Sequence, residues 1–242
     1  MRLIRALYTF YGVVIFFLLF IIFFLLLLIP IFLPKKFALV GLFNRWWAKL
    51  LFILIGIPFR AEYRERLNRK KQYIFCPNHC SYLDIPTVAL NRHNTVFVGK
   101  NDMENIPLFG FMYSKLHITV DRAKLKSRYI TLVKSLKAID QGKSLVIFPE
   151  GGIMTKYPPA MADFKDGAFR AAIEKQIHIV PVTIPFNWII LPADQFLLHW
   201  RPIKVIFHEP IDPSIYTLKD LDLLKTRVKT VIENELHNHL KA

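Results

Sequence analysis

The 242-residue sequence predicts a single mixed-sheet α/β domain behind an N-terminal membrane helix or two-helix anchor. Three observations lead to that class. From Ala6 to Pro34 no residue is charged. Beyond residue 60, short β-branched runs alternate with stretches of helical periodicity. Three of those runs end in polar residues, the pattern of strands that open onto a site.

The uncharged run reads VVIFFLLFIIFFLLLLIPIFL over 13–33, longer than the ~20 apolar residues that cross a bilayer. It is too long for the apolar region of a secretory signal, and no small-x-small cleavage site follows, so it is expected to be retained. A second apolar stretch, LLFILIGIPF at 50–59, follows Trp46 and Trp47. It is too short to span but long enough to lie along one leaflet or dip into it. The anchor is thus set at 1–60, as a helix over 6–34 plus a short interfacial or re-entrant stretch over 46–59. The rest, 61–242, is one catalytic-size domain. Pro30 marks either a kink or the turn of a shallow hairpin.

The net charge is +15. Arg2, Arg5, Lys35, Lys36, Arg45, Lys49 and Arg60 lie in the first 60 residues without a single acid. A basic, apolar segment points to an anionic lipid surface before nucleic acid, and no nucleic-acid partner is expected. Most of the Lys and Arg excess follows the first apolar run, so the positive-inside rule places residues 35 onward on the cytoplasmic face of the membrane. The side of Met1 stays open. Cys76 and Cys80 give no disulfide framework and no metal-ligand spacing, so a reducing compartment and no metal are expected.

In the domain, strands are expected at 73–76 (YIFC), 95–99 (TVFVG), 117–120 (HITV), 144–148 (SLVIF), 177–184 (IHIVPVTI) and 203–208 (IKVIFH). Ile130, Val133, Leu136 and Ile139 recur every three residues and predict a helix stopped by Gly142. A second helix is predicted over 219–240, with Leu221, Leu224, Val228, Ile232 and Leu236 along one side.

The chemistry concentrates in CPNHCSYLDIP, residues 76–86. On one ideal helix His79 and Asp84 would sit ~500° apart and share no face. They meet only if the backbone bends, with His79 in a loop and Asp84 in the first helical turn. Ser81 and Asp84 have capping-box spacing, and Asp84 also suits the cap itself with Pro86 close behind. Alone, the pair reads more readily as a helix cap and a hydrogen-bonded histidine than as a catalytic pair. Two further strand ends change the balance. HITVDR ends in Asp121 and Arg122, and SLVIFPEGG in Glu150, Gly151 and Gly152. Together these groups gather at one edge of the sheet.

NHCSYLD resembles the N-H-x-x-x-x-D motif of the glycerolipid acyltransferases, typified by the 1-acylglycerol-3-phosphate (lysophosphatidic acid) acyltransferases. ITVDR is similar to their second motif, VIFPEGG to the third and IVPV at 179–182 to the fourth. The four occur in the family's order across roughly 60–210. The resemblance implies an α/β domain of glycerolipid-acyltransferase type. It implies His79 as general base on an acceptor hydroxyl and Asp84 as the group that orients its ring. The hydroxyl would attack the thioester of acyl-CoA or acyl-carrier protein directly, with no acyl-enzyme and no cofactor. Arg122 would hold the acceptor phosphate, and Glu150, Gly151, Gly152 and Lys165 would shape the acceptor pocket. Membrane lipids, the acyl donor and a lysolipid are the implied partners.

One departure bears on the acceptor. After FPEG the family usually continues with threonine, arginine and serine, where this chain has Gly152, Ile153 and Met154. Lys156, or Lys165 in FKDGAF, could replace the lost cation, though a lysine is a point charge and no bidentate fork. A monoacyl amino-acid lipid of ornithine or glycine type is therefore an alternative acceptor. A thioesterase or lipase-like hydrolase using Cys80 or Ser81 is a second alternative, although neither residue sits on a nucleophile elbow. Adjacent side chains in extended backbone point apart, so His79 is badly placed to activate Cys80.

Overall fold

A computed structural model describes residues 2–121, 124–155 and 157–240. Its uncharged run forms α1 (Arg2–Phe32), with Pro30 inside the helix and the chain turning at Leu33–Phe37. The next helix, α2 (Ala38–Leu54), packs beside α1. The stretch 46–59 resolves into the second half of α2, a turn with Gly56 at φ +69°, and the start of β1 (Phe59–Tyr63). β1 is a strand that hydrophobic patterning passes over, because Arg60 and Glu62 interrupt its apolar run.

The chain continues through β2 (Ile74–Pro77), α3 (Asp84–Ala89), β3 (Thr95–Lys100), α4 (Phe109–Leu116), β4 (Ile118–Val120), α5 (Leu125–Asp140) and β5 (Ser144–Ile147). It ends with α6 (Gly167–Lys175), β6 (Ile179–Thr183), α7 (Asn187–Ile190), β7 (Ile203–Phe207) and α8 (Leu221–Leu240). The strands form one sheet in the order β1-β7-β6-β2-β5-β3-β4, in which the β6–β7 pair alone is antiparallel. The six strands expected from sequence are all present: four are shortened, 73–76 shifts by one residue to 74–77, and 95–99 extends to 100.

Alternate residues divide the core between the two faces of the sheet. Phe75, Phe97, Val146, Val180 and Val182 face α1, α2 and α3, while Ile74, Val96, Leu145 and Ile179 face α5, α6 and α8. On the C-terminal helix Leu224, Val228, Ile232 and Leu236 are buried, as its periodicity predicts. On α5 the expected face is only partly right. Ile139 is buried, but Ile130 and Val133 are exposed, and Thr131, Ser135 and Ala138 take the inward positions.

The 31 residues of α1 measure ~46 Å at 1.5 Å per residue. It is the one helix among the described residues long and apolar enough to cross a membrane. The domain flanks it lengthwise. Near its start Tyr8 Oη donates to the Ile55 carbonyl (2.7 Å), and Thr9 Oγ1 accepts from the Leu198 N–H (2.8 Å). Further along, Phe20 meets Phe109, and Leu27 packs with Met112 and Leu116 of α4. Leu19, Phe23, Leu27 and Pro30 are buried on this side, while Ile4, Phe10, Phe17, Ile21, Leu25 and Phe32 are exposed on the other. The helix therefore offers an apolar stripe along its length.

Asn94 locks α2 to the domain. Its Oδ1 accepts from the Gly41 N–H at 2.7 Å, and its Nδ2 donates to the Phe37 carbonyl at 3.1 Å. A Cβ at Gly41 would stand 2.7 Å from the Asn94 Cα, which is backbone and has little room to move. Gly41→Ala is expected to destabilise the protein by about 1–3 kcal/mol, read as a lowered thermal midpoint in detergent; an unchanged midpoint would show that α2 docks without this contact.

Candidate active site

β2 and β5 are parallel neighbours, so their C-terminal ends open on the same edge of the sheet. Beyond β2 the chain leaves the sheet at Asn78, and beyond β5 it leaves at Phe148. Asn78 closes the first exit. Its Nδ2 donates to the Ile184 carbonyl (3.1 Å) and its Oδ1 accepts from the Ile184 N–H (2.7 Å), clamping the loop to the end of β6. The fourth motif, IVPV, is β6 itself and supplies the partner strand for β2.

His79 lies in this loop and Asp84 is the first residue of α3, the bend that their spacing demanded. His79 Nδ1 and Asp84 Oδ2 are 2.9 Å apart. The same Oδ2 accepts the N–H groups of Cys80 and Ser81, both at 2.8 Å. Asp84 Oδ1 accepts from Asn187 Nδ2 at 2.9 Å, and that amide also donates to Thr87 Oγ1. Neither expected capping register forms, since the N-cap position is Leu83 and has no side-chain cap bond. Asp84 reaches back to the Ser81 N–H, while Ser81 Oγ accepts from Leu83 N–H and donates to the Leu191 carbonyl. An acceptor-only carboxylate requires the proton on His79 Nδ1. In the neutral ring Nε2 then carries the lone pair, and it makes no hydrogen bond among the described residues. Phe148 stacks on the imidazole with ring centroids 4.1 Å apart.

Glu150 is 1% exposed and braces the site from behind. Its Oε1 accepts the His79 N–H (2.7 Å) and its Oε2 the Ala162 N–H (2.8 Å). Burial pushes its carboxyl up from the ordinary range, while the Ala162 and His79 N–H groups pull it back. Gly151 follows at φ +86°, a conformation that favours glycine, and the turn it closes carries Gly152 onward. The Lys165 N–H donates to the Pro149 carbonyl, which sets that exposed side chain beside the Glu150 turn. Arg122 and Lys156 lie outside the described residues.

Neither candidate nucleophile suits a hydrolase. Cys80 is 4% exposed, and burial, reinforced by Asp84 and Glu150, pushes its thiol well above the ordinary range. Ser81 is fully buried and spends its hydroxyl on the Leu191 carbonyl. Asn187 lies at the candidate site outside every motif, while Asn78 and Phe148 lie inside motifs that gave them no role. Asn78 stands next to His79 in the first motif and Phe148 within the third, but nothing in the sequence ties Asn187 to Asp84 across 103 positions.

A hydrogen-bonded His–Asp pair at the carboxyl edge of an α/β sheet is an arrangement that can serve acid–base chemistry. The chain belongs to the acyltransferase family, whose model matches residues 59–185. It is 29% identical over 207 residues to a 1-acyl-sn-glycerol-3-phosphate acyltransferase of Haemophilus influenzae, covering 80% of this chain and 83% of that one. A chloroplastic 1-acyl-sn-glycerol-3-phosphate acyltransferase of Arabidopsis thaliana is 28% identical over 58% of this chain, which spans 40% of that relative's length. A lyso-ornithine lipid O-acyltransferase of Rhizobium meliloti is 26% identical, over 60% of this chain and 51% of its own. The fold matches the crystal structure of the 1-acyl-sn-glycerophosphate acyltransferase PlsC of Thermotoga maritima with a TM-score of 0.80, covering 100% of this chain and 98% of that one, at 22% identity.

Two tests probe the geometry itself. Cys76 and Cys80 are both buried and should resist a water-soluble maleimide until the protein is denatured; rapid labelling of the native protein would mean that the loop opens. Asn187→Ala strips one donor from a buried carboxylate, a loss of about 1–3 kcal/mol. It should lower the thermal midpoint by that amount, and an unchanged midpoint would show that Asp84 finds another partner.

Proposed function

We propose that this chain is a membrane-bound O-acyltransferase that moves an acyl chain from acyl-CoA or acyl-carrier protein to the free hydroxyl of 1-acylglycerol-3-phosphate, giving phosphatidic acid. The observation that carries this reading is the state of His79. Asp84 occupies one ring nitrogen, Phe148 backs the ring, and Nε2 is left for a substrate hydroxyl. The relatives named for 1-acyl-sn-glycerol-3-phosphate acyl transfer support the choice of acceptor.

As the acceptor oxygen attacks the thioester carbonyl, Nε2 takes its proton. The Asp84 carboxylate stabilises the imidazolium that forms, and its four donors keep it from moving away. Collapse of the tetrahedral intermediate breaks the C–S bond and releases the donor's thiolate, which recovers the proton from His79. Glu150 holds the His79 backbone and stands back from the proton transfer. Gly151, Gly152 and Lys165 border the acceptor side, and Arg122 supplies a guanidinium for its phosphate. The apolar stripe of α1 supports attachment to the membrane, and the Lys and Arg excess after the first apolar run supports the cytoplasmic face.

A second acceptor is favoured by one observation. Gly152, Ile153 and Met154 replace the threonine, arginine and serine usual in the third motif, and one relative is a lyso-ornithine lipid O-acyltransferase. A monoacyl amino-acid lipid presents the same hydroxyl without a phosphate.

The test uses the purified protein in liposomes with labelled acyl-CoA or acyl-carrier protein, given lysophosphatidic acid, a monoacyl ornithine lipid or no acceptor. Phosphatidic acid should form with the wild type, and His79→Ala should lower the rate by ~10²–10⁴-fold. Transfer to the ornithine lipid alone would move the acceptor assignment to the second reading. Full activity in a folded His79→Ala protein would remove the mechanism.

A further inference from the structure

Helix α5 is mixed on both sides, and Leu132 and Leu136 pack against the core beneath it. Towards the sheet it buries Thr131, Ser135 and Ala138 with Ile139. Thr131 Oγ1 donates to the Thr119 carbonyl (3.1 Å) and Ser135 Oγ to the Thr131 carbonyl (2.8 Å). Outward it turns Tyr129, Ile130 and Val133, at 68%, 42% and 45% exposure. Lys126, Arg128, Lys134 and Lys137 are exposed around them, and none has an acidic partner among the described residues. Helical spacing sets Lys126, Ile130 and Lys134 along one line, with Tyr129, Val133 and Lys137 along the next. The result is an apolar centre within a basic rim, the anatomy of a docking face for an acidic protein.

We propose that this face docks an acidic, water-soluble acyl-carrier protein that delivers the thioester to His79, an inference that rests on the acyl-transfer reading above. Three features favour that occupant. First, α5 packs on the face of the sheet opposite α1 and α2. When the apolar stripe of α1 meets a bilayer, α5 looks away from it, so its partner comes from water. Second, a symmetric dimer through α5 would set the basic rim against itself, which like-charge repulsion opposes. Third, α5 starts just beyond β4, on the same sheet edge as His79 and Glu150. β4 lies three strands from β2, or ~14 Å at ~4.8 Å per step. A carrier seated on α5 has that gap to bridge with the flexible arm that bears its acyl group.

The experiment compares the full-length protein in nanodiscs with a Lys126→Glu, Lys134→Glu, Lys137→Glu variant and with Tyr129→Ser. All four positions are exposed, so thermal midpoints should match the wild type and confirm folding. Binding of palmitoyl-loaded acyl-carrier protein is followed by fluorescence anisotropy. Transfer is then measured with that donor and with palmitoyl-CoA. Charge reversal should weaken carrier binding and raise KM for the carrier donor at least ~10-fold, with a smaller effect from Tyr129→Ser and no change for palmitoyl-CoA. Carrier that fails to bind the wild type, or binds the variants equally well, overturns the docking proposal. Transfer from palmitoyl-CoA reports separately on the acyl-transfer reading. An equal rise in KM for both donors would assign the lysines to a phosphate shared by the two donors and would also overturn it. So would variants that lose affinity for anionic vesicles but keep the carrier, since α5 would then face lipid.

Discussion

A carboxylate that is 1% exposed survives only among donors, and Asp84 has four of them. Two are backbone N–H groups of the residues just after His79, which forces the loop to curl around the carboxylate. One is the imidazole, whose tautomer and direction follow from that contact. The last is Asn187, which reaches in from the segment beyond β6. Because so many bonds converge on one side chain, loop, helix start and neighbouring strand end are mutually fixed. Glu150 does the same from the β5 side by accepting the His79 N–H. The two buried carboxylates act differently: Asp84 addresses the ring, and Glu150 addresses the backbone that carries it.

The sheet gives these loops their common origin. β2, β5, β3 and β4 run parallel, so four successive strand ends open at one edge, and the clamp from Asn78 to Ile184 ties in β6. The two faces of the sheet have different surroundings. On one, α1 and α2 add an outward apolar layer, held by Tyr8, Thr9 and Asn94. On the other, α6 and α8 complete an ordinary core, while α5 retains a mixed basic and apolar exterior. Under the proposed acyl-transfer reading, a lipid-side acceptor and a water-side donor would approach one site from opposite faces.

Much of this was legible in the sequence, for identifiable reasons. Charge-free length marked α1, short β-branched runs marked six strands, and the five-residue gap between His79 and Asp84 demanded the loop-to-helix bend that the structure contains. β1 escaped because Arg60 and Glu62 break the apolar pattern of an edge strand that pairs on one side only. The buried face of α5 was misread because hydrophobicity was taken as the guide to burial. There the sheet accepts hydroxyls, which Thr119 and the helix backbone can satisfy, and Ile130 and Val133 turn outward.

By itself the sequence determined the family, since residue types and their local spacing carry its motifs, and it determined the apolar segment, since hydrophobic length is a local property. Tertiary structure decided what depends on residues far apart in the chain. It brought Asn187 to Asp84, set Glu150 behind the His79 backbone, stacked Phe148 on the imidazole and buried Cys80 beyond reach of a substrate. It also decided which side of α5 meets water. Burial and long-range hydrogen bonding are properties of the packed sheet, and no local pattern of residues contains them.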